Sequence, residues 1–225
     1  MNLPNWLAEY RKVVTSQHGE DGVIEKIFEI IGSKNKWCVE FGAWDGKLYS
    51  NTFNLIVNRG WNGVEIESDA GKFAELKTTY KGFPVMCLNS KVEIDGINSL
   101  DSLLKNTPCP KDFDFLSIDV DGPDYYIWEA FVEYTPSIVC VECSPTLRNG
   151  EEFIQHIPFP RKKYVGTSLA SLTKLAKRKG YELISVCAIN AFFVTKQLFP
   201  LFEIKDNDVS NYKIWALDAR GQPGA

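Results

Sequence analysis

The sequence predicts an α/β fold: a doubly wound, mostly parallel sheet with helices on both faces and an antiparallel hairpin at its C-terminal edge. Two observations predict it. Short apolar runs alternate with segments whose apolar residues recur at helical spacing, and the last two apolar runs follow one another with no helix between them. A third observation says where function should lie. The polar clusters fall where the apolar runs end, and open α/β sheets bind ligands beyond the carboxyl ends of their strands.

Ile24, Ile27, Phe28 and Ile31 share one helical face, and Gly32 is placed to stop that helix. Trp37–Phe41 reads as a strand ending in Gly42. Ser50 is placed to cap a helix to about Arg59, with Gly60 as its stop. Gly63–Glu67 is a second strand, Ala70–Tyr80 a polar helix, and Pro84–Leu88 a third strand. Leu100, Leu103 and Leu104 mark a short helix, and Phe113–Ile118 a fourth strand running into Asp119. Ile127, Trp128 and Phe131 mark another helix, followed by a fifth strand, Ser137–Cys143. Residues 144–166 read as a loop. Leu169, Leu172, Leu175 and Ala176 give a helix closed by Gly180, and Tyr181–Cys187 and Asn190–Thr195 the closing hairpin. Lys196–Ala225 carries no strong pattern. The expected organisation is one domain over 1–196, with 197–225 an extension that packs on it or is partly flexible.

With 44% hydrophobic residues the 225-residue chain can bury a sizeable core, and a net charge of −4 gives no basic excess to grip a phosphate backbone. No nucleic-acid partner is expected. The longest apolar stretch, Leu183–Val194, is too short for a bilayer, and the N-terminus has no signal-peptide core. No membrane partner is expected, and the cytoplasm is the default location. The six cysteines show no short-loop disulfide framework. Cys140 and Cys143 form a C-x-x-C pair, but within a strand they point to opposite faces, which argues against zinc or redox chemistry.

Three clusters sit at strand ends. In the first, Val39–Gly46, a strand ends in a Gly-x-x-x-Gly turn holding acids, which suits a ligand with cationic and hydroxyl groups better than a pyrophosphate. S-adenosylmethionine has both kinds of group; an ordinary β–α turn with solvated acids reads equally well. In the second, Glu67 ends a strand 21 positions after Gly46, the place from which an acid accepts ribose hydroxyls, with Asp69 in reserve. In the third, Asp119 and Asp121 leave the fourth strand and Glu142 ends the fifth. Carboxylates so close must be relieved by a cation, by protons or by loop hydrogen bonds. The alternatives are a Mg²⁺ or Mn²⁺ site that lowers the pKa of a substrate hydroxyl, a metal-free general base, and a purely structural role. Pro123 argues against a haloacid-dehalogenase-type phosphatase and against an EF-hand. A fourth cluster, Gln17–Asp21, offers His18 as a base near neutral pH. His156 and the trio Arg161, Lys162 and Lys163 lie in the 144–166 loop, where they form a solvated face or meet an anionic substrate.

Ser16–Gly22, Val39–Gly46, Ser50-Asn51-Thr52 and Gly60–Gly63 with Glu67 are together similar to the FkbM-like methyltransferases, and the likeness runs on through Phe113–Gly122, Gly166–Leu169 and Asn190–Val194. It covers most of residues 15–195. The chain departs from the family at Glu142-Cys143-Ser144-Pro145, where Tyr-Asn or Phe-Asn is expected after the Glu. The resemblance implies a class I, Rossmann-like domain that uses S-adenosylmethionine. O-methylation of a small-molecule, sugar or natural-product hydroxyl is the expected reaction. The resemblance implies a donor site built on Glu40, Gly42, Asp45 and Glu67; Ala43, Asn51, Ser68 and Asn89 are further candidates for it, and Asp119, Asp121, Glu142 and His18 are the candidates toward the acceptor. The alternatives are a non-catalytic binding module of the same fold and a metal-dependent hydrolase.

Overall fold

The computed structural model describes residues 3–158 and 166–214. Among them, seven strands form one sheet: β1 (Trp37–Phe41), β2 (Asn62–Glu67), β3 (Val85–Asn89), β4 (Phe115–Ile118), β5 (Ile138–Glu142), β6 (Tyr181–Cys187) and β7 (Asn190–Thr195). Their order is β3-β2-β1-β4-β5-β7-β6. Strands β1 to β5 run parallel, and β7 is antiparallel to both β5 and β6. The predicted doubly wound sheet with a closing hairpin is the observed one.

Alternation along each strand feeds two cores. Val39, Phe41, Val64, Ile66, Leu116 and Ile118 pack with α3 (Leu100–Leu104), α4 (Asp124–Ala130) and α5 (Leu169–Arg178) on one face. Cys38, Phe115, Ile138 and Cys140 pack with α1 (Glu20–Ile31) and α2 (Ala70–Thr79) on the other. Cys140 and Cys143 enter opposite cores, and both are free thiols. No helix among the described residues is long and apolar enough to cross a membrane.

The structure departs from the sequence reading in the second half of the β1–β2 connection. Ser50 was expected to open a helix; its Oγ does accept the Thr52 and Phe53 amides, yet regular winding starts only at Phe53 and is π-helical over Asn54–Asn58. The side chains of Ser50 and Thr52 are instead drawn to a buried acid on β1. The predicted fourth strand begins two residues late, at Phe115, because the Asp114 carboxylate accepts the amides of Lys34, Asn35 and Lys36 and fixes the turn entering β1. Beyond β7 the chain forms short 3-10 turns at Phe199–Phe202 and Val209–Asn211, with Phe202 and Ile204 in the α1-side core and Tyr212 in the other. Asn5 covers the edge of β6: its amide donates to the Val186 carbonyl and accepts from the Val186 amide and the Ser185 hydroxyl.

Asp114 is buried and holds three backbone amides at once. Asp114→Ala is expected to cost at least about 2 kcal/mol, since hydrogen bonds to charged groups are worth roughly 1.5–3 kcal/mol each. Urea unfolding measures the loss; an unchanged midpoint would remove this carboxylate from the account of the β1 entry.

Candidate functional site

The carboxyl ends of β1, β2, β3 and β4 open onto a cavity of about 690 Å³. Gly42, Ile66, Ser68, Val120 and Asp121 line it from the strand ends, and residues 90–95 and Ile157 close it. The sequence reading missed the 90–95 wall; the only signal there was a polar run directly after a strand. The 144–158 segment contributes Ile157 and Pro158. Arg161, Lys162 and Lys163 lie outside the described residues, and His156 is exposed.

Gly42, which follows β1, is constrained by its own backbone. Its φ of 77° is a left-handed conformation, and a Cβ at this position would stand 1.8 Å from the Asp119 carbonyl oxygen. Glycine is therefore required first by close approach of the β4 exit, and only beyond that by any ligand. Gly42→Val is expected to lower the melting temperature sharply instead of leaving a folded protein with a blocked site; thermal denaturation checks this, and a native melting curve would contradict it.

The acids assigned to the donor site divide by what they touch. Both oxygens of the buried Glu67 accept backbone amides, Oε2 from Trp44 and Oε1 from Asp69, so this side chain ties the β1 exit to the β2 exit. The Asn89 amide braces the same corner by donating to the Glu67 carbonyl. Ser68 is exposed and lines the cavity. Asp69 caps α2 through the Lys72 amide. Ala43 is buried, its amide on the Ile66 carbonyl. The Asp45 carboxylate accepts the amides of Lys47 and Leu48 and shapes the loop.

Glu40 lies below the cavity floor, fully engaged by protein. Its Oε2 accepts the hydroxyls of Ser50 at 2.6 Å and Thr52 at 2.9 Å, and its Oε1 accepts the Asn51 amide. Burial raises its pKa, and these hydrogen bonds oppose the rise. The Asn51 side chain is buried and donates to Ser117 Oγ on β4. Neither Glu40 nor Asn51 lines the cavity; both hold the loop that does.

The third cluster is assembled as the strand order requires. Oxygens of Asp119, Asp121 and Glu142 all lie within 4.8 Å of one another. Asp124, to which the sequence reading gave no role, shapes this corner: buried, it accepts the amides of Val120 and Gly122, and Asp121 takes a φ of 52° between them. Asp119 and Glu142 are hydrogen-bonded to each other. Asp119 keeps access to solvent, yet loss of hydration in the crowded strand-end corner, then the charges of Asp124, Asp121 and Glu40, push it up to about 7. Burial, then the charges of Asp119, Asp124 and Asp121, push Glu142 up to about 9. The corner thus retains a proton where free carboxyls are ionised.

His18 sits apart from the cavity lining, against the hairpin: its carbonyl accepts the Cys187 thiol, and its own amide donates to Glu20. Glu20 in turn accepts from Asn190, the register partner of Glu142. Burial lowers the His18 pKa, opposed by Glu20.

Solved structures share this topology. The chain is similar to the CurJ carbon methyltransferase, at 10% identity with a TM-score of 0.51, over 77% of this chain and 52% of that one. It is also similar to CalS10, an amino pentose methyltransferase from Micromonospora echinaspora (10% identity, TM-score 0.49, 80% and 91% covered), and to a TehB-like methyltransferase from Corynebacterium glutamicum (11%, 0.48, 84% and 92%). The fold is the class I methyltransferase fold. No protein-family model matches the chain, and no curated protein matches its sequence.

Because Asp119 and Glu142 have raised pKa values, the folded chain binds more protons than the unfolded chain above about pH 4.5, and stability contributed by this corner falls as pH rises toward 9. Glu142→Gln removes one charge. It is expected to melt roughly 2–4 °C above the parent at pH 8.5, with the gain absent at pH 5. Parallel melting curves would mean that the corner carries no shared proton.

Proposed function

We propose that the chain is an S-adenosylmethionine-dependent methyltransferase of FkbM-like type that methylates a hydroxyl of a small molecule such as a sugar or natural product. The observation that carries the reading is a strand-end cavity lined by Asp121, whose carboxylate lies within 4.8 Å of those of Asp119 and Glu142, in the class I methyltransferase fold. The cavity fits the donor. Ile66, Val92, Ile94 and Ile157 offer apolar wall for a purine, and Ser68, Ser90 and Asp95 offer polar groups beside it. Glu67 Oε2 accepts only the Trp44 amide and keeps a lone pair for a ribose hydroxyl, while Oε1 accepts both the Asp69 amide and the Ser68 hydroxyl.

Bound S-adenosylmethionine supplies an electrophilic methyl group on a sulfonium. The protein's part is to place an acceptor oxygen in line and take its proton. Asp119 suits that part: a carboxylate raised to about 7 is a stronger base than a free one, and Glu142 stabilises its ionised form by hydrogen bonding. Activity is therefore expected to rise with pH through about 7 as Asp119 loses its proton. Asp121 and Glu142 face the same acceptor position.

A second reading rests on the 4.8 Å grouping of Asp119, Asp121 and Glu142. Three hard carboxylate oxygens suit Mg²⁺ or Mn²⁺, which these residues would hold once the shared proton is lost, lowering the pKa of an acceptor hydroxyl.

Calorimetry with S-adenosylhomocysteine tests the donor site: the parent is expected to bind, and Glu67→Ala to bind roughly 10- to 100-fold more weakly, the scale of a hydrogen bond to a charged group. No binding by the parent sinks the methyltransferase reading in favour of a non-catalytic module. Transfer of a labelled methyl group to a panel of hydroxylated small molecules, with and without a chelator, separates the base from the metal. Turnover that survives chelation but not Asp119→Asn belongs to the base; turnover lost on chelation and restored by Mg²⁺ belongs to the metal.

A further inference from the structure

Glu40 and Glu65 are register partners on the adjacent parallel strands β1 and β2. Both are buried, and both reach the same hydroxyl. Thr52 Oγ1 lies 2.9 Å from Glu40 Oε2 and 3.0 Å from Glu65 Oε1, while Ser50 Oγ lies 2.6 Å from Glu40 Oε2. These are three hydroxyl–carboxyl contacts, beside a longer one of 3.2 Å between the two hydroxyls, and the two hydroxyls supply only two hydrogens. The third hydrogen must sit on a carboxyl. Glu40 already collects the Asn51 amide and the Ser50 hydroxyl, as an ionised acid does. Among the described residues, Glu65 meets only Thr52, through Oε1, and its Oε2 has no hydrogen-bond partner.

We propose that Glu65 is a positioning residue held as a neutral acid, whose proton completes a lock on the loop that walls the donor site. Glu65 donates to Thr52 Oγ1, Thr52 donates to Glu40, and Glu40 stays ionised to bind residues 50–52. The lock ties both ends of the segment between Glu40 and Ser50, which carries Gly42 in the cavity wall and Trp44 on Glu67. The inference rests on the donor-site reading for its consequence but not for the location of the proton.

The groups facing Glu65 agree with a neutral acid. Glu40 and Cys38 face it from β1, Cys87 from β3 and Tyr80 from beyond α2, while Lys77 of α2 acts on Cys87. Burial and the Glu40 charge raise the Glu65 pKa well above the carboxylate range. The sign of the pH effect follows. Above about pH 4.5 the unfolded chain releases this proton and the folded chain keeps it, so the stability of the parent falls with rising pH relative to a variant that needs no proton.

Glu65→Gln supplies that variant, because its amide N–H replaces the acid O–H toward Thr52. The infrared difference spectrum of parent minus E65Q at pH 7.5 is expected to contain a protonated-carboxyl band. The folding constant of E65Q is expected to gain on the parent by up to tenfold per pH unit above about pH 5. Glu65→Ala is expected to weaken S-adenosylhomocysteine binding about tenfold or more by calorimetry, and E65Q to restore it to within a few-fold. Absence of the band, its loss in E40Q but not E65Q, or parallel pH–stability curves would overturn the assignment of the proton. Equal affinity of E65A and the parent would overturn the positioning role. If the parent binds no S-adenosylhomocysteine, the donor reading and the positioning role fall together, while the spectrum and the melting curves still decide where the proton is. Should E65A not fold, the pH slope of E65Q against the parent and its spectrum decide alone.

Discussion

A carboxylate buried between central strands must collect hydrogen-bond donors, and Glu40 collects them from one tripeptide, Ser50-Asn51-Thr52. That constraint shapes the cavity side of the sheet. It draws the chain after β1 back over the strand it has just left and delays the helix expected from Ser50. It also sets Asn51 against Ser117 on β4, and so fastens the loop to the two strands whose exits, Gly42 and Asp119, touch. The loop is held at its base by acid–hydroxyl contacts and at its tip by the Trp44 amide on Glu67. A rigid wall built this way presents backbone to a ligand without spending the wall's own side chains on contact.

The same strand-end geometry concentrates negative charge. Parallel strands deliver their exits to one edge, so acids at the ends of β4 and β5 meet whatever their separation in sequence. Two devices relieve the repulsion. At the edge, Asp119 and Glu142 are hydrogen-bonded to each other and their pKa values are raised, and Asp124 accepts two backbone amides. One layer deeper, Glu40 and Glu65 meet through Thr52. The difference between the layers is access to water. The edge acids stand beside Asp121 of the cavity wall and Asp119 is open to solvent, whereas the deeper pair is sealed from it.

The N-terminal segment closes the acidic side. The Asp21 carboxylate accepts the amides of Val14, Thr15 and Ser16, and Thr15 donates to the Ser50 carbonyl. Ser16 pairs with Tyr49 in an isolated bridge. Glu20 then carries the contact to Asn190 beside Glu142. One short stretch therefore links the donor-wall loop to the acceptor corner, with Val13, Leu48 and Tyr49 left exposed along it.

The sequence by itself determined the strand–helix alternation, the closing hairpin and the edge at which polar residues gather, because each follows from local periodicity and from glycines at element ends. It also determined that Asp119, Asp121 and Glu142 would be neighbours, since that needs only the parallel pairing of consecutive strands. Only the tertiary structure decided what each acid does. Glu40, Asp45 and Glu67 all read as ligand-facing acids in a strand-end motif, yet Glu40 is consumed by a loop ten residues on and Asp45 by its own turn, while Glu67 joins two strand exits. Glu65 reads only as a strand residue on the same face as Glu67, because its register against Glu40 does not exist until β1 and β2 pair. A side chain's partners are set by which strands lie side by side and by how little water is left between them, and neither quantity is written in local sequence.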